Sequence, residues 1–186
     1  LITAAAADIN GKTDNGAVYL IKNVDSVSGT KARSFANIDL FDVMWNGASA
    51  GDTLGSTSRI ATLDSNKAVI LDNIDGGSYA NDLIIASANG STGGTNVGDI
   101  YMILNIDSLS GVKDLANTDN YTAGWDGANG GDRLSNTEGG GDGLQLVDID
   151  NNGWRNDLII TAVTANCGGA DNGSVYIIKE INRFSG

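Results

Sequence analysis

One block of this sequence occurs three times. Asn15-Gly16-Ala17-Val18-Tyr19-Leu20-Ile21-Lys22 returns as Asn172-Gly173-Ser174-Val175-Tyr176-Ile177-Ile178-Lys179, and Gly98-Asp99-Ile100-Tyr101-Met102-Ile103 lies between them. Gly16 and Gly98 are 82 residues apart, Gly98 and Gly173 are 75 apart, and each copy runs on to a Ser-Gly pair at 28–29, 110–111 and 185–186. Other segments keep the same register. Asn81-Asp82-Leu83-Ile84-Ile85-Ala86 matches Asn156-Asp157-Leu158-Ile159-Ile160-Thr161, and Leu1-Ile2-Thr3-Ala4 matches Ile159-Ile160-Thr161-Ala162. Trp45 to Leu54 likewise matches Trp125 to Leu134. Agreement at four places in one register establishes a repeat of about eighty residues, and a repeat limits the chain to architectures built by stacking like units.

Within the last copy, four short segments read as strands, near 119–125, 144–149, 157–163 and 173–179, separated by Gly-, Asn- and Asp-rich turns. The last two are continuous β-branched and aromatic runs, the pattern of strands buried on both faces. The segment Thr164 to Asn172 is long for a tight hairpin and is expected to project. Four antiparallel strands per unit is the composition of one β-propeller blade, so the predicted fold is all-β. The phase divides the chain into 1–29, the second half of a blade, and two complete blades at 30–111 and 112–186. That is about two and a half blades, whereas a closed ring takes typically 4–8. The expectation is a fragment of a longer array, with assembly from several copies as the alternative.

A ten-residue loop between the second and third strands, Asp148-Ile149-Asp150-Asn151-Asn152-Gly153-Trp154-Arg155-Asn156-Asp157, carries the chemistry. Oxygen-bearing side chains at its first, third and fifth positions, followed by glycine, make the front half of a calcium loop. Alternate side chains turn inward around the bend, and Gly153 supplies the positive φ that closes it. Trp154 would offer its carbonyl, and Asn156 or Asp157 would complete the cage. The twelfth position is Ile159, so this is no helical EF-hand loop, which needs a bidentate Glu there. The competing reading is an Asx-rich turn whose carboxylates only cap backbone amides. The register equivalents in the preceding repeat are Asn73, Asp75, Tyr79 and Asp82. That loop is the weaker cation candidate, because Gly77 replaces the fifth-position ligand and Ser78 the turn glycine.

Composition narrows the function. The chain has 11 basic and 23 acidic residues, no His, no Pro and one Cys, Cys167. Without histidine there is no Ser-His-Asp or Cys-His catalysis and no imidazole metal site. A net charge of −12 repels phosphate backbones, so no nucleic-acid partner is expected. No apolar run approaches the roughly 20 residues of a membrane span. Two carboxylates in one tight loop suit a cation better than an acid–base pair, so no enzyme activity is expected. The stretches at Gly47 and Gly127 have the composition of a calcium-binding nonapeptide repeat, but they stand 80 residues apart and cannot stack. Trp45 and Trp125 recur in register, as inter-blade packing residues would. Trp154, beside the cation loop, is the candidate for an exposed contact.

In layout, an apolar strand, a D-x-D-x-N-G loop, a D-L-I-I strand, a long turn and a G-x-V-Y-I-I strand resemble the FG-GAP repeat. That repeat is the blade unit of integrin α-subunit propellers and of many bacterial surface proteins. The family's FG element falls on Leu54-Gly55 and Leu134-Ser135, its GAP element on Ala86-Ser87-Ala88 and Thr161-Ala162-Val163. The loop is one residue longer before Asp-Leu than in the family, which leaves the last side-chain ligand open between Asn156 and Asp157. The resemblance implies an extracellular, calcium-stabilised propeller at a cell surface with a structural, adhesive or assembly role, binding a protein or glycan ligand. It implies Asp148, Asp150, Asn152 and Asp157 as calcium ligands. The alternative is a lectin-like, carbohydrate-binding propeller module.

Overall fold

The computed structural model describes residues 1–24, 35, 40–56, 68–136, 143–166 and 172–184. Among them the chain is all-β: eleven strands in three sheets, joined by turns and short 3-10 segments, with no α-helix. The first sheet contains β1 (Ile2–Ala4), β2 (Ala17–Leu20), β3 (Val43–Asn46) and β7 (Gly111–Asp114), in that order. The second has the order β4 (Val69–Asp72), β5 (Asp82–Ser87), β6 (Asp99–Ile103), β8 (Ala123–Asp126). The third has the order β9 (Leu144–Val147), β10 (Asp157–Ala162), β11 (Ser174–Ile178). Among the described residues no sheet closes on itself. Every pairing is antiparallel except β3 with β7, which is parallel.

The sheets lie face on face because alternate residues of each strand point to opposite sides. Val18, Val43, Trp45 and Leu54 from the first sheet and its following loop bury against Leu83, Ile85, Tyr101 and Ile103 of the second. On the other side of the second sheet, Ile84, Ala86, Ile100 and Met102 meet Leu144, Leu146, Leu158 and Ile160 of the third. Leu54 and Leu134 each anchor one of these cores. Behind each, the following amide reaches the neighbouring sheet: Gly55 N–H donates to Ala86 O at 2.9 Å and Ser135 N–H to Thr161 O at 2.8 Å.

Two sequence expectations need correcting. The strand near 119–125, grouped by sequence with 144–149, pairs instead with β6, in a register that sets Trp125 opposite Ile100. That pairing brings Trp125 against the core between the second and third sheets, and leaves three strands in the third. Burial on both faces holds for β5 and β6 but not for β11, where Val175 is 65% and Ile177 55% exposed. The second sheet is sandwiched, whereas among the described residues the third has a neighbour on one face only. Cys167 and most of the turn expected to project lie outside the described residues. No helix among the described residues is long and apolar enough to cross a membrane.

The route from β6 to β8 is indirect. After Ile103 the chain makes a 3-10 turn at Ile106–Ser108, crosses to the first sheet and adds β7 to the edge of β3. Gly111 N–H donates to Asp42 O at 2.8 Å and Leu115 N–H to Asn46 O at 3.1 Å. Lys12 Nζ reaches Asp114 at 2.9 Å, and Lys22 Nζ donates to the carbonyls of Asp107 and Leu109. Leu115, 2% exposed, then plugs the core that holds Trp45, Leu54, Ile85, Tyr101 and Ile103. The second sheet is thus clasped to the first by a strand as well as by side-chain packing.

Candidate metal centre

The loop 148–157 links β9 to β10, and its sharp turn follows from local backbone chemistry. Asn151 has φ 56 and Gly153 φ 91, left-handed conformations that Asn and Gly adopt at least cost. The turn is held by its own oxygens. Asn152 N–H donates to Asp148 Oδ1 at 3.0 Å and to Asp150 Oδ1 at 3.2 Å. Gly153 N–H donates to Asp148 Oδ2 at 2.9 Å, and Trp154 N–H to Asn152 Oδ1 at 2.9 Å. The capping role that the sequence offered as the competing reading is therefore present.

Capping is not all these side chains do. Asp148, Asp150 and Asp157 each bring one carboxylate oxygen to within 4.8 Å of the others, a group that could hold a metal ion. Three carboxylates converging within one loop is the donor set of a hard cation such as calcium. Asp157 is the first residue of β10 and fully buried, while Asp148 is half-buried and Asp150 exposed. Burial alone would raise the Asp157 carboxyl. The amides of Glu180, at 2.9 Å, and Ile149, at 2.7 Å, together with that of Asp150, outweigh it and hold the group below the usual carboxylate range. Asp157 is therefore a charged floor, anchored by backbone amides, beside Asp148 and Asp150.

Of the two candidates for the last side chain, Asp157 joins the acidic group, and Asn156 lines the adjoining cleft with its Nδ2 donating to Asn182 Oδ1 at 3.0 Å. Asn152 sits at the turn with its Oδ1 engaged by the Trp154 amide. Trp154 is 50% exposed, as expected of a contact residue, yet its ring also lies on the equivalent loop. A β-carbon built on Gly76 would come within 2.7 Å of Trp154 Cζ3. A cleft of about 540 Å³ runs between the loops, lined by Asp75, Gly76, Asn152, Trp154 and Glu180. Arg155 ties them from beneath, 3.2 Å from Asp72 and donating to Leu146 O.

The loop 73–82 repeats the floor but not the cluster. Asp82 accepts from Ile74 at 2.7 Å and from Asn105 at 2.9 Å, as Asp157 does from Ile149 and Glu180. Asn73 caps Gly76 and Asp75 caps Gly77. The Asn105 amide donates to Asp75 Oδ2 at 3.1 Å, so a neutral donor engages the carboxylate a cation would need. Tyr79, in register with Trp154, is 76% exposed. With Asn73 where the other loop has Asp148, this loop keeps two carboxylates where its counterpart has three. Sequence reasoning missed that the two loops touch; the only advance signal is a bulky Trp in one and paired glycines in the other.

A separate acidic pair is Asp52, in the loop after β3, and Asp99, the first residue of β6. Burial, and then repulsion from Asp99, push Asp52 up to about 6, although the Ser49 amide donates to it at 2.7 Å. Between its unfolded value of 3.8 and about 6, the folded chain binds a proton that the unfolded chain does not. Stability through this group therefore falls as pH rises across that window. Denaturant unfolding at pH 4.5 and pH 7 should show that slope, and Asp52→Asn should flatten it.

No protein-family model matches the chain, and no curated protein matches it in sequence.

Proposed function

We propose that this chain is a calcium-binding, FG-GAP-like propeller segment with a structural, adhesive or assembly role at a cell surface, and that it is not an enzyme. The observation that carries this reading is the convergence of Asp148, Asp150 and Asp157 within 4.8 Å in a loop of D-x-D-x-N-G pattern. A calcium ion there would offset most of the charge of three carboxylates and pin β9 to β10 where they leave the stacked cores. The repeating, face-to-face sheets support the propeller part of the reading, each behaving as a blade laid on the next. An extracellular, calcium-replete setting suits a site whose exposed acids otherwise repel.

The test is thermal unfolding with and without calcium. At 100 times Kd, calcium should stabilise the chain by about 2.7 kcal/mol, and chelator should reverse it. Asp148→Ala should abolish the response. A melting midpoint indifferent to calcium, chelator and this substitution would reduce the loop to an Asx turn.

The exposed Trp154 ring beside the cleft favours a second reading, a carbohydrate-binding propeller. A glycan array separates the two: sugar binding that Trp154→Ala removes would replace the structural reading.

A further inference from the structure

Two consecutive side chains in the closing half of the acidic loop reach out of it to the second sheet. The Trp154 ring lies over Gly76: a β-carbon built there would come within 2.7 Å of Cζ3, 3.0 Å of Cη2 and 3.6 Å of Cε3. Glycine alone leaves room for the ring, and the φ of 83 at Gly76 favours glycine independently. Arg155 follows, 3.2 Å from Asp72 at the end of β4. The loop on which the ring rests is held by protein donors. Gly76 N–H donates to Asn73 Oδ1 at 3.0 Å, Gly77 N–H to Asp75 Oδ1 at 2.8 Å, and Asn105 Nδ2 to Asp75 Oδ2 at 3.1 Å.

The backbone of Trp154 belongs to the bonding of the acidic loop itself. Its N–H donates to Asn152 Oδ1 at 2.9 Å. Asn152 N–H in turn donates to Asp148 Oδ1 at 3.0 Å and Asp150 Oδ1 at 3.2 Å. A ring seated on Gly76 therefore restrains, through one hydrogen bond, the residue whose amide touches two of the three converging carboxylates. Core burial does not account for the ring's position, since Trp154 is 50% exposed where Trp45 is fully buried. Asn156, 5% exposed, lines the same cleft, and its Oδ1 has no hydrogen-bond partner. A buried acceptor left without a donor beside the acids suits a loop that takes a ligand better than a turn satisfied by capping alone.

We propose that Trp154 is a positioning residue of the cation loop: its ring, seated on Gly76, holds the closing half in place for calcium and couples the loop to its neighbour in the second sheet. This rests on the calcium reading of the loop 148–157. Such coupling is reciprocal. Whatever seats the ring tightens calcium binding, and calcium in turn steadies the seat. The Arg155–Asp72 pair adds little, because its guanidinium lies largely in water.

The test uses the full chain, with calorimetry for calcium affinity and amide exchange at Gly76 and Gly77 for the seat. Trp154→Ala should weaken calcium binding about tenfold, the effect of losing an outer-shell partner of a metal ligand, and leave the circular dichroism unchanged. Trp154→Phe should restore part of the loss. Gly76→Ala should weaken binding in the unsubstituted chain but not beside Trp154→Ala, where no ring meets the new β-carbon. Backbone strain at residue 76 acts in both backgrounds and cancels in that cycle. Calcium should slow exchange at Gly76 and Gly77 in the unsubstituted chain, and in neither Trp154→Ala nor Asp148→Ala. Undiminished affinity in Trp154→Ala, or an equal effect of Gly76→Ala in both backgrounds, would overturn the positioning role and leave the calcium reading standing. Slowed exchange in Asp148→Ala would put the cation in the loop 73–82 and overturn it as well. An unsubstituted chain that binds no calcium would overturn both.

Discussion

Asp157→Ala should lower folding stability substantially even when no calcium is present. The buried carboxylate accepts the backbone amides of Ile149 and Glu180, which belong to two different connections. Removing it leaves both donors in need of partners, at about 1–3 kcal/mol for each one that stays buried. Urea unfolding in chelator measures this directly. Asp148→Ala provides the contrast. The amides it caps lie in the exposed turn, where water replaces the lost acceptor, so its cost in chelator should stay within about 1 kcal/mol. In calcium, both variants should lose the metal-dependent part of the stability. Asp82→Ala, which removes the matching floor in the other loop, should be destabilising and indifferent to calcium. If Asp157→Ala were as mild as Asp148→Ala in chelator, the buried carboxylate would not be what joins the two connections.

Leu115→Ala should cost about 2–5 kcal/mol, the range for emptying a large buried aliphatic site. Leu115 is 2% exposed and sits in a core with Trp45 and Leu54 from the first sheet and its following loop and Tyr101 and Ile103 from the second sheet. Its loss opens a cavity at the joint and weakens the seat of β7, so amide exchange at β3 should accelerate along with global unfolding. Val112→Ala is the control. It lies on the same strand but is 44% exposed, so it should change stability by no more than about 0.5 kcal/mol. Similar costs for the two would mean that the clasp is held by its backbone pairing alone.

Much of this fold was legible in the sequence. The runs that became β5, β6, β10 and β11 stand out because β-branched and aromatic residues bounded by Gly and Asn form strands almost regardless of context. The acidic turn was legible for the same reason. Asp148, Asp150 and Gly153 are tied to a turn whose geometry is set within a few residues. That Asp157 joins the acidic group while Asn156 bonds Asn182 was not legible, because it depends on where β10 begins and on amides supplied from elsewhere. Nor did β7 announce itself. Gly111–Asp114 contains a single strongly apolar side chain, Val112, which faces solvent, and its pairing partner lies 68 residues earlier.

By itself, then, the sequence determined the repeat, the all-β class and the convergence of acids at one turn. Each of these rests on local backbone preference or on residue order, both of which survive without tertiary contacts. Only the tertiary structure decided which strands share a sheet, that β8 belongs with β6, and that the chain leaving the second sheet reaches back to lay a strand on the first. Pairing of distant strands is settled by which arrangement buries Trp45, Leu115 and Trp125 together with their amide partners, and that burial exists only once the sheets are stacked.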